Sequence, residues 1–296
     1  MYDIVILTDH RYVKPKEVDW YVKQVLDEDE LLLSSLKKKG LNVCKKDWAD
    51  SEFDWTKTRY AIFRTTWDYF QKFNQFLNWI EITKNKTTFI NSAEIIKWNI
   101  DKHYLKDLLE DGINIAPTLF IEKTDKTSLI RLFKSTNWKE AVIKPAVSGA
   151  ARHTYRINLE NYHQYESVFQ QLIKEECMLF QKYLPNITKM GEISLVMIGG
   201  KYTHAVKKIA KKGDFRVQDD HGGTVEEYHA SSKEIEFAEL CLEKCAYNPI
   251  YARVDIVYDD SNQVSLSELE LIEPELWFRK NPESANLLAD EIYNFI

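Results

Sequence analysis

Late in the chain, the run Leu266-Ser267-Glu268-Leu269-Glu270-Leu271 alternates strictly between apolar and polar residues. As a strand it puts Glu268 and Glu270 on one face and Leu269 and Leu271 on the other. The run Arg253-Val254-Asp255-Ile256-Val257 does the same, with Asp255 and Arg253 sharing a face. Between them lies Asp259-Asp260-Ser261-Asn262, a turn-forming stretch, so the two runs are expected to pair as an antiparallel hairpin. Three carboxylates then converge on one side of a sheet. Like charges held that close repel unless a cation sits among them. Hard oxygen donors with room for phosphate suit Mg²⁺. The plainer reading, a solvated polar face, stays open at this point.

The rest of the chain places this hairpin in an α/β fold. Residues 1–91 alternate strand and helix: Asp3 to Leu7, a helix from Asp29 to Lys39 closed by Gly40, Leu41 to Val43, Tyr60 to Arg64, a helix from Phe73 to Thr83, and Thr88 to Ile90. That order argues for a parallel α/β unit. A second unit over 92–296 opens on a helix for which Asn91 and Glu94 form the expected capping box. Its smaller lobe covers about 117–184 and the remainder forms a larger lobe with long strand-like runs and an antiparallel sheet.

Composition narrows the function. The net charge of −6 gives no reason to expect nucleic acid as a partner. No segment approaches the roughly 20 apolar residues of a membrane span. The apolar run at Ile4 to Leu7 is too short for a signal peptide, so a cytoplasmic enzyme is expected. Cys44 and Cys177 stand apart, while Cys241 and Cys245 are expected as structural thiols on one helix face. With nine glycines the chain has no Walker loop and no dinucleotide fingerprint. Phosphate must therefore be handled in another way.

Several other residues carry candidate chemistry. The apolar strand Ala141 to Lys144 ends in a lysine and leads into Ala146-Val147-Ser148-Gly149-Ala150-Ala151. That small-residue loop can bring backbone N–H groups to a phosphate, with Lys144 as a point charge; a solvated lysine before an ordinary turn is the alternative. Lys102 on its own reads as a surface helix lysine. Gln181-Lys182-Tyr183-Leu184 ends a strand and enters a linker, a common place for a nucleotide base or simply a connection between lobes. Arg64 to Tyr69 follows a strand of the first unit, where open parallel sheets bind ligands. Arg64 is a candidate carboxylate clamp and Asp68 a candidate amine partner, against a structural Arg–Asp pair with a packed Trp67. Lys207 to Gly223 reads as a long polar loop, either solvated or a mobile lid over anions.

Taken in order, a lysine after a capped helix, a second lysine ending a strand before a small-residue loop, a hinge, then Asp and Glu-x-Glu on paired strands, the chain resembles the ATP-grasp ligases. The stretches 91–102, 143–148, 191–194 and 268–274 are similar to the branch that includes the cycloserine-forming and prokaryotic glutathione synthetase enzymes. The resemblance implies a pre-ATP-grasp α/β domain followed by a two-lobed ATP-grasp domain. It implies Lys102 and Lys144 at the nucleotide phosphates with Ser148 and Gly149, Gln181 to Leu184 at the base, and Asp255, Glu268 and Glu270 at Mg²⁺. It places Arg216, Gly222 and Gly223 with Arg64, Trp67 and Asp68 on the substrate side. Lys144, Arg216 and Arg64 would act in catalysis. Many relatives carry Glu-x-Asn where this chain has Glu268-x-Glu270, one negative charge more.

The implied activity uses ATP and Mg²⁺ to join a small-molecule carboxylate to an amine, most simply amino acids or their derivatives, through an acyl phosphate. Ring closure within one amino-acid derivative is the alternative, and a nucleotide-binding module without turnover is a third. A homodimer is the expected assembly, since two-fold dimers are the commonest closed oligomers.

Overall fold

The computed structural model describes residues 1–217 and 222–296. The first unit runs β1 (Tyr2–Thr8), α1 (His10–Val13), α2 (Trp20–Lys38), β2 (Val43–Asp47), β3 (Thr58–Thr65), α3 (Phe73–Thr83) and β4 (Thr88–Ile90). Its strands form a parallel sheet in the order β2-β1-β3-β4, as expected. Ile4 to Leu7 are fully buried, which is why β1 reads as a continuous apolar run. Two boundaries differ from the sequence reading. Helix α2 starts at Trp20, because the Asp19 side chain accepts the Val22 N–H at 2.8 Å and caps it. Strand β2 extends through Cys44-Lys45-Lys46-Asp47, a polar edge strand that periodicity cannot see.

Helices α4 (Ala93–Asn99) and α5 (Tyr104–Glu110) follow. The cap of α4 is Ser92, not Asn91. Asn91 instead donates its amide to the carbonyls of Tyr251 and Leu271 at 2.9 and 2.8 Å and accepts from Ile250 N–H at 2.6 Å. Buried backbone groups need partners, and these outcompete the capping role.

The second sheet contains β5 (Thr118–Ile121), β6 (Glu140–Pro145), β7 (Tyr155–Asn158) and β8 (Met178–Lys182), antiparallel in the order β5-β8-β6-β7. Helices α6 (Leu129–Thr136) and α7 (Tyr162–Glu175) bury Leu132, Phe133, Phe169 and Ile173 against Ala141, Ile143, Met178 and Phe180. Strand alternation leaves Val142, Lys144 and Gln181 for the other face.

After α8 (Asn186–Met190), the third sheet comprises β9 (Glu192–Ile198), β10 (Lys201–Ile209), β11 (Thr224–Tyr228), β12 (Tyr251–Tyr258) and β13 (Val264–Glu270), with α9 (Ser232–Glu243) between β11 and β12. It is antiparallel, ordered β11-β10-β9-β12-β13. The hairpin forms with Arg253 opposite Glu270 and Asp255 opposite Glu268. Cys241 and Cys245 lie in the core beneath this sheet, with the Cys245 thiol donating to the Cys241 carbonyl at 3.3 Å. Helix α10 (Glu283–Phe295) returns to pack Leu288 and Ile292 with Leu32 and Leu36 of α2 and Val196 and Ile198 of β9. Among the described residues no helix is long and apolar enough to cross a membrane.

Candidate active site

The second and third sheets face a cavity of about 410 Å³, which helices α1 and α2 and the segment after β3 complete from the first unit. On its floor, β12 and β13 present Asp255, Glu268 and Glu270 to one side, and β9 and β10 add Glu192 and Lys208. Arg253 holds Asp255 with two hydrogen bonds, Nε to Oδ1 at 2.9 Å and Nη2 to Oδ2 at 2.8 Å, and Nη2 also donates to Glu270. Lys208 Nζ lies 3.1 Å from Asp255 Oδ2 and 2.5 Å from Glu192 Oε1. Lys102 Nζ lies 3.0 Å from Glu268 Oε1 and donates to the Ser148 carbonyl at 2.8 Å.

Burial alone would raise the Asp255 carboxyl; Arg253 and Lys208 reverse this and hold it below the ordinary carboxylate range. Burial likewise opposes ionisation of Glu268, and Lys102 and Lys144 reverse it. At Glu270 burial wins, reinforced by repulsion from Glu268 and Asp255, and the carboxyl is lifted in spite of Arg253. Burial and then the Glu270 charge push Glu273 up to about 8. The Lys144 ammonium is lowered by burial and by Lys102.

These carboxylates supply hard oxygen donors only, the chemistry that Mg²⁺ selects. Their charge is balanced by basic side chains: Arg253 at Asp255 and Glu270, and Lys102 at Glu268. Among the described residues no group of three carboxylates, imidazoles or thiols is gathered at metal-ligating geometry. The donor set fits Mg²⁺ in the kind of atom it offers, not in its present arrangement, in which basic groups neutralise the carboxylates.

The nucleotide-side candidates come together. Lys102, Lys144, Ser148, Gly149, Gln181, Lys182, Tyr183 and Leu184 all line the cavity. The Gln181 amide donates to Thr118 Oγ1 at 2.9 Å, and the Lys182 ammonium turns outward to Asp260 at 2.5 Å.

The substrate-side candidates divide. Trp67 lines the cavity and donates Nε1–H to the Glu273 carbonyl at 3.0 Å. Arg216 lines it too, held by Asp214 through Nη2 to Oδ2 at 2.7 Å. Arg64 and Asp68 do not. Arg64 is 1% exposed, lies 3.4 Å from Glu28 Oε1 and faces the rings of Tyr251 and Phe278. Asp68 is 3% exposed and accepts from Trp48 Nε1 at 2.7 Å and Lys72 Nζ at 2.5 Å. Neither Arg64 nor Asp68 reaches the cavity, and each has a partner other than the other. Arg64 is buried where the first unit meets Tyr251 and Phe278, and Asp68 beside Trp48 within the first unit. Gly222, with φ of +81°, and Gly223 are not among the cavity-lining residues. In the expected loop 207–223, β10 continues to Ile209 and buries Lys208, while residues 218–221 lie outside the described part.

Sequence reasoning missed Glu192 and Lys208 as members of the site, and Arg11 and Tyr12, which line the cavity after β1. The last two had a usable signal: they follow the carboxyl end of a parallel strand, where open sheets place ligands.

Residues 113–267 match the family described as the ATP-grasp domain of prokaryotic glutathione synthetase. Residues 4–91 match the N-terminal domain of D-cycloserine synthetase DcsG. The cycloserine biosynthesis protein DcsG of Streptomyces lavendulae is 25% identical over 273 residues, covering 83% of this chain and 86% of that protein. The crystal structure of D-cycloserine synthetase DcsG superposes with a TM-score of 0.87 at 21% identity, covering 98% of both chains. D-alanine–D-alanine ligase of Bacillus anthracis gives a TM-score of 0.69 at 14% identity, covering 99% of this chain and 97% of that one.

Proposed function

Because the chain belongs to the ATP-grasp family of the prokaryotic glutathione synthetases, and is therefore an ATP-dependent ligase, we propose that it joins a small-molecule carboxylate to an amine through an acyl phosphate. The observation that carries this reading is the meeting of Lys102, Lys144, Asp255, Glu268 and Glu270 around one cavity, with Trp67 and Arg216 on its substrate side.

In this reading residues 1–91 form the substrate side and 92–296 the ATP-grasp domain, with 117–184 as the lobe over the nucleotide. A carboxylate oxygen attacks the γ-phosphorus, the bond to the β,γ-bridging oxygen breaks, and ADP leaves. The amine nitrogen then attacks the acyl carbon, phosphate leaves with the bonding pair, and the nitrogen gives up a proton. Lys102 and Lys144 offset the phosphate charge, and Arg216 orients the substrate carboxylate. Asp255, Glu268 and Glu270 would hold Mg²⁺, which when bound supplies charge neutralisation at the phosphates.

A second reading, ring closure within one amino-acid derivative, is supported by the match of residues 4–91 to the D-cycloserine synthetase N-terminal domain. ADP and phosphate release with Mg²⁺-ATP, across amino acids and derivatives singly and in pairs, tests both. Release only with a pair supports two-substrate ligation. Release and product from a single compound supports ring closure. Binding of ATP with no release from any compound counts against the ligase reading.

A further inference from the structure

We propose that Phe70 is a positioning residue that seals the phosphate loop against water, and so decides whether ATP cleavage ends in product or in hydrolysis. The proposal rests on the acyl-phosphate reading above.

Phe70 follows Trp67 and Tyr69 after β3 and lines the same cavity as Lys102 and Lys144. The small-residue loop meets it from the opposite side. A Cβ placed on Gly149 would lie 2.8 Å from Phe70 Cε1 and 2.9 Å from Cδ1, inside any tolerable carbon contact. Only a residue without a side chain lets this backbone sit on the ring. The loop is fixed in that position by polar contacts as well. Lys102 N–H donates to the Ala146 carbonyl at 3.0 Å and its ammonium to the Ser148 carbonyl at 2.8 Å. Arg152 Nη2 donates to the Val147 carbonyl at 3.1 Å and is itself paired with Glu176. Ala150 and Ala151 are held at φ of 48° and 53°, conformations that persist only where surroundings impose them.

Lys102 and Arg152 grip the loop's backbone. Phe70 differs from both: it is apolar, and it belongs to the substrate-side unit. Its ring has no group for proton transfer or charge stabilisation, so its contribution is exclusion of water from the space between phosphate loop and substrate. Without it, water replaces the amine. Water oxygen attacks the acyl carbon, the bond to the phosphate oxygen breaks, phosphate leaves with the bonding pair, and water loses a proton. The carboxylate is regenerated, and ATP plus water has become ADP plus phosphate with no ligated product.

The test uses the full chain as wild type, Phe70→Ala, Phe70→Leu, Gly149→Ala and the Gly149→Ala/Phe70→Ala double variant. The contact is read first, by Mg²⁺-ADP affinity in calorimetry, which needs no turnover. Gly149 is outside the left-handed region, so the ring alone resists alanine there. Gly149→Ala is expected to weaken binding about tenfold, and the double variant to recover most of it. No recovery overturns the contact. The seal is read second, with the carboxylate that best elicits ADP release and hydroxylamine as the amine. Wild type and Phe70→Leu should give close to one hydroxamate per ADP, and Phe70→Ala roughly tenfold more ADP than hydroxamate. Equal ratios in all variants overturn the seal even where the contact holds. Absence of any hydroxamate from wild type, with the contact intact, overturns the acyl-phosphate reading and the seal with it.

Discussion

Arg253 and Asp255, two positions apart on one strand, face each other with both guanidinium–carboxylate hydrogen bonds made, at 2.9 and 2.8 Å. The same guanidinium reaches Glu270 on the neighbouring strand. One cation thus restrains two of the three carboxylates assigned to Mg²⁺, and Glu270, lifted by burial and by its acidic neighbours, is the less settled of them.

Glu270→Gln is therefore expected to fold as well as wild type, since it removes a repelled charge and keeps the shape. ATP turnover should fall at least about 100-fold through loss of an anionic ligand. Thermal unfolding and ADP release check the two halves. Unchanged turnover would contradict the metal assignment.

Lys102→Met removes the ammonium that bridges Glu268 and the Ser148 carbonyl. The expected result is a loss of about 10²–10³ in kcat/KM for ATP, the range for one preorganised charge-stabilising donor. Steady-state kinetics against ATP measures it, and a variant within twofold of wild type would return Lys102 to a structural role.

Arg64→Met separates burial from chemistry. Arg64 pairs with Glu28 inside the first unit, away from the cavity. Glu28 would lose that partner but keep the N–H groups of Leu276 and Phe278 at 2.7 and 2.9 Å. Urea unfolding should reveal a loss of about 3–5 kcal/mol, as for a broken buried ion pair. The folded fraction should keep its KM values; a large rise in KM for the carboxylate would restore Arg64 to the substrate site.

His204 supplies a pH dependence. Its Nε2 lies 2.9 Å from the Leu276 carbonyl, and burial lowers the imidazole below its ordinary value of 6.5. A histidine depressed in the folded state binds fewer protons folded than unfolded, so its contribution is present above 6.5 and is lost as pH falls from there through the lower folded value. The difference in melting temperature between wild type and His204→Gln should shrink from pH 7.5 to pH 5. Taking that difference cancels the acidic groups common to both proteins. A difference independent of pH would disprove the assignment.

The hairpin was legible because strand alternation has period two and the turn residues between its halves are explicit. The strands that end near Lys144 and at Lys182 were legible for a similar reason, as apolar runs. The direction in which Arg64 turns was not legible, because a strand end gives only a neighbourhood. Which way its side chain turns depends on Glu28, Tyr251 and Phe278, which no local pattern connects to it. Lys208 looked like one of several loop lysines, and its burial follows from pairing β10 with β9, where Lys208 stands opposite Glu192. Long-range strand pairing also explains why Asn91 reads as a cap in sequence and serves as a bridge in the fold.

That bridge determines which parts of the molecule can move. Asn91 binds Ile250, Tyr251 and Leu271, and the Tyr251 hydroxyl points at the carbonyls of Phe63, Ile90 and Ile272 at 3.0, 3.3 and 2.7 Å. The first and third sheets also share one apolar core through α10. The core under α6 and α7, by contrast, is drawn entirely from residues 119–180. In the proposed ligase, opening the cleft is expected to swing that lobe about the body formed by the other two sheets, with the carboxylate-bearing strands and the Trp67 side of the cavity keeping their spacing. The spacing between the carboxylate-bearing strands and Trp67 would then be a property of the frame, and the distance from either to Lys144 the adjustable one.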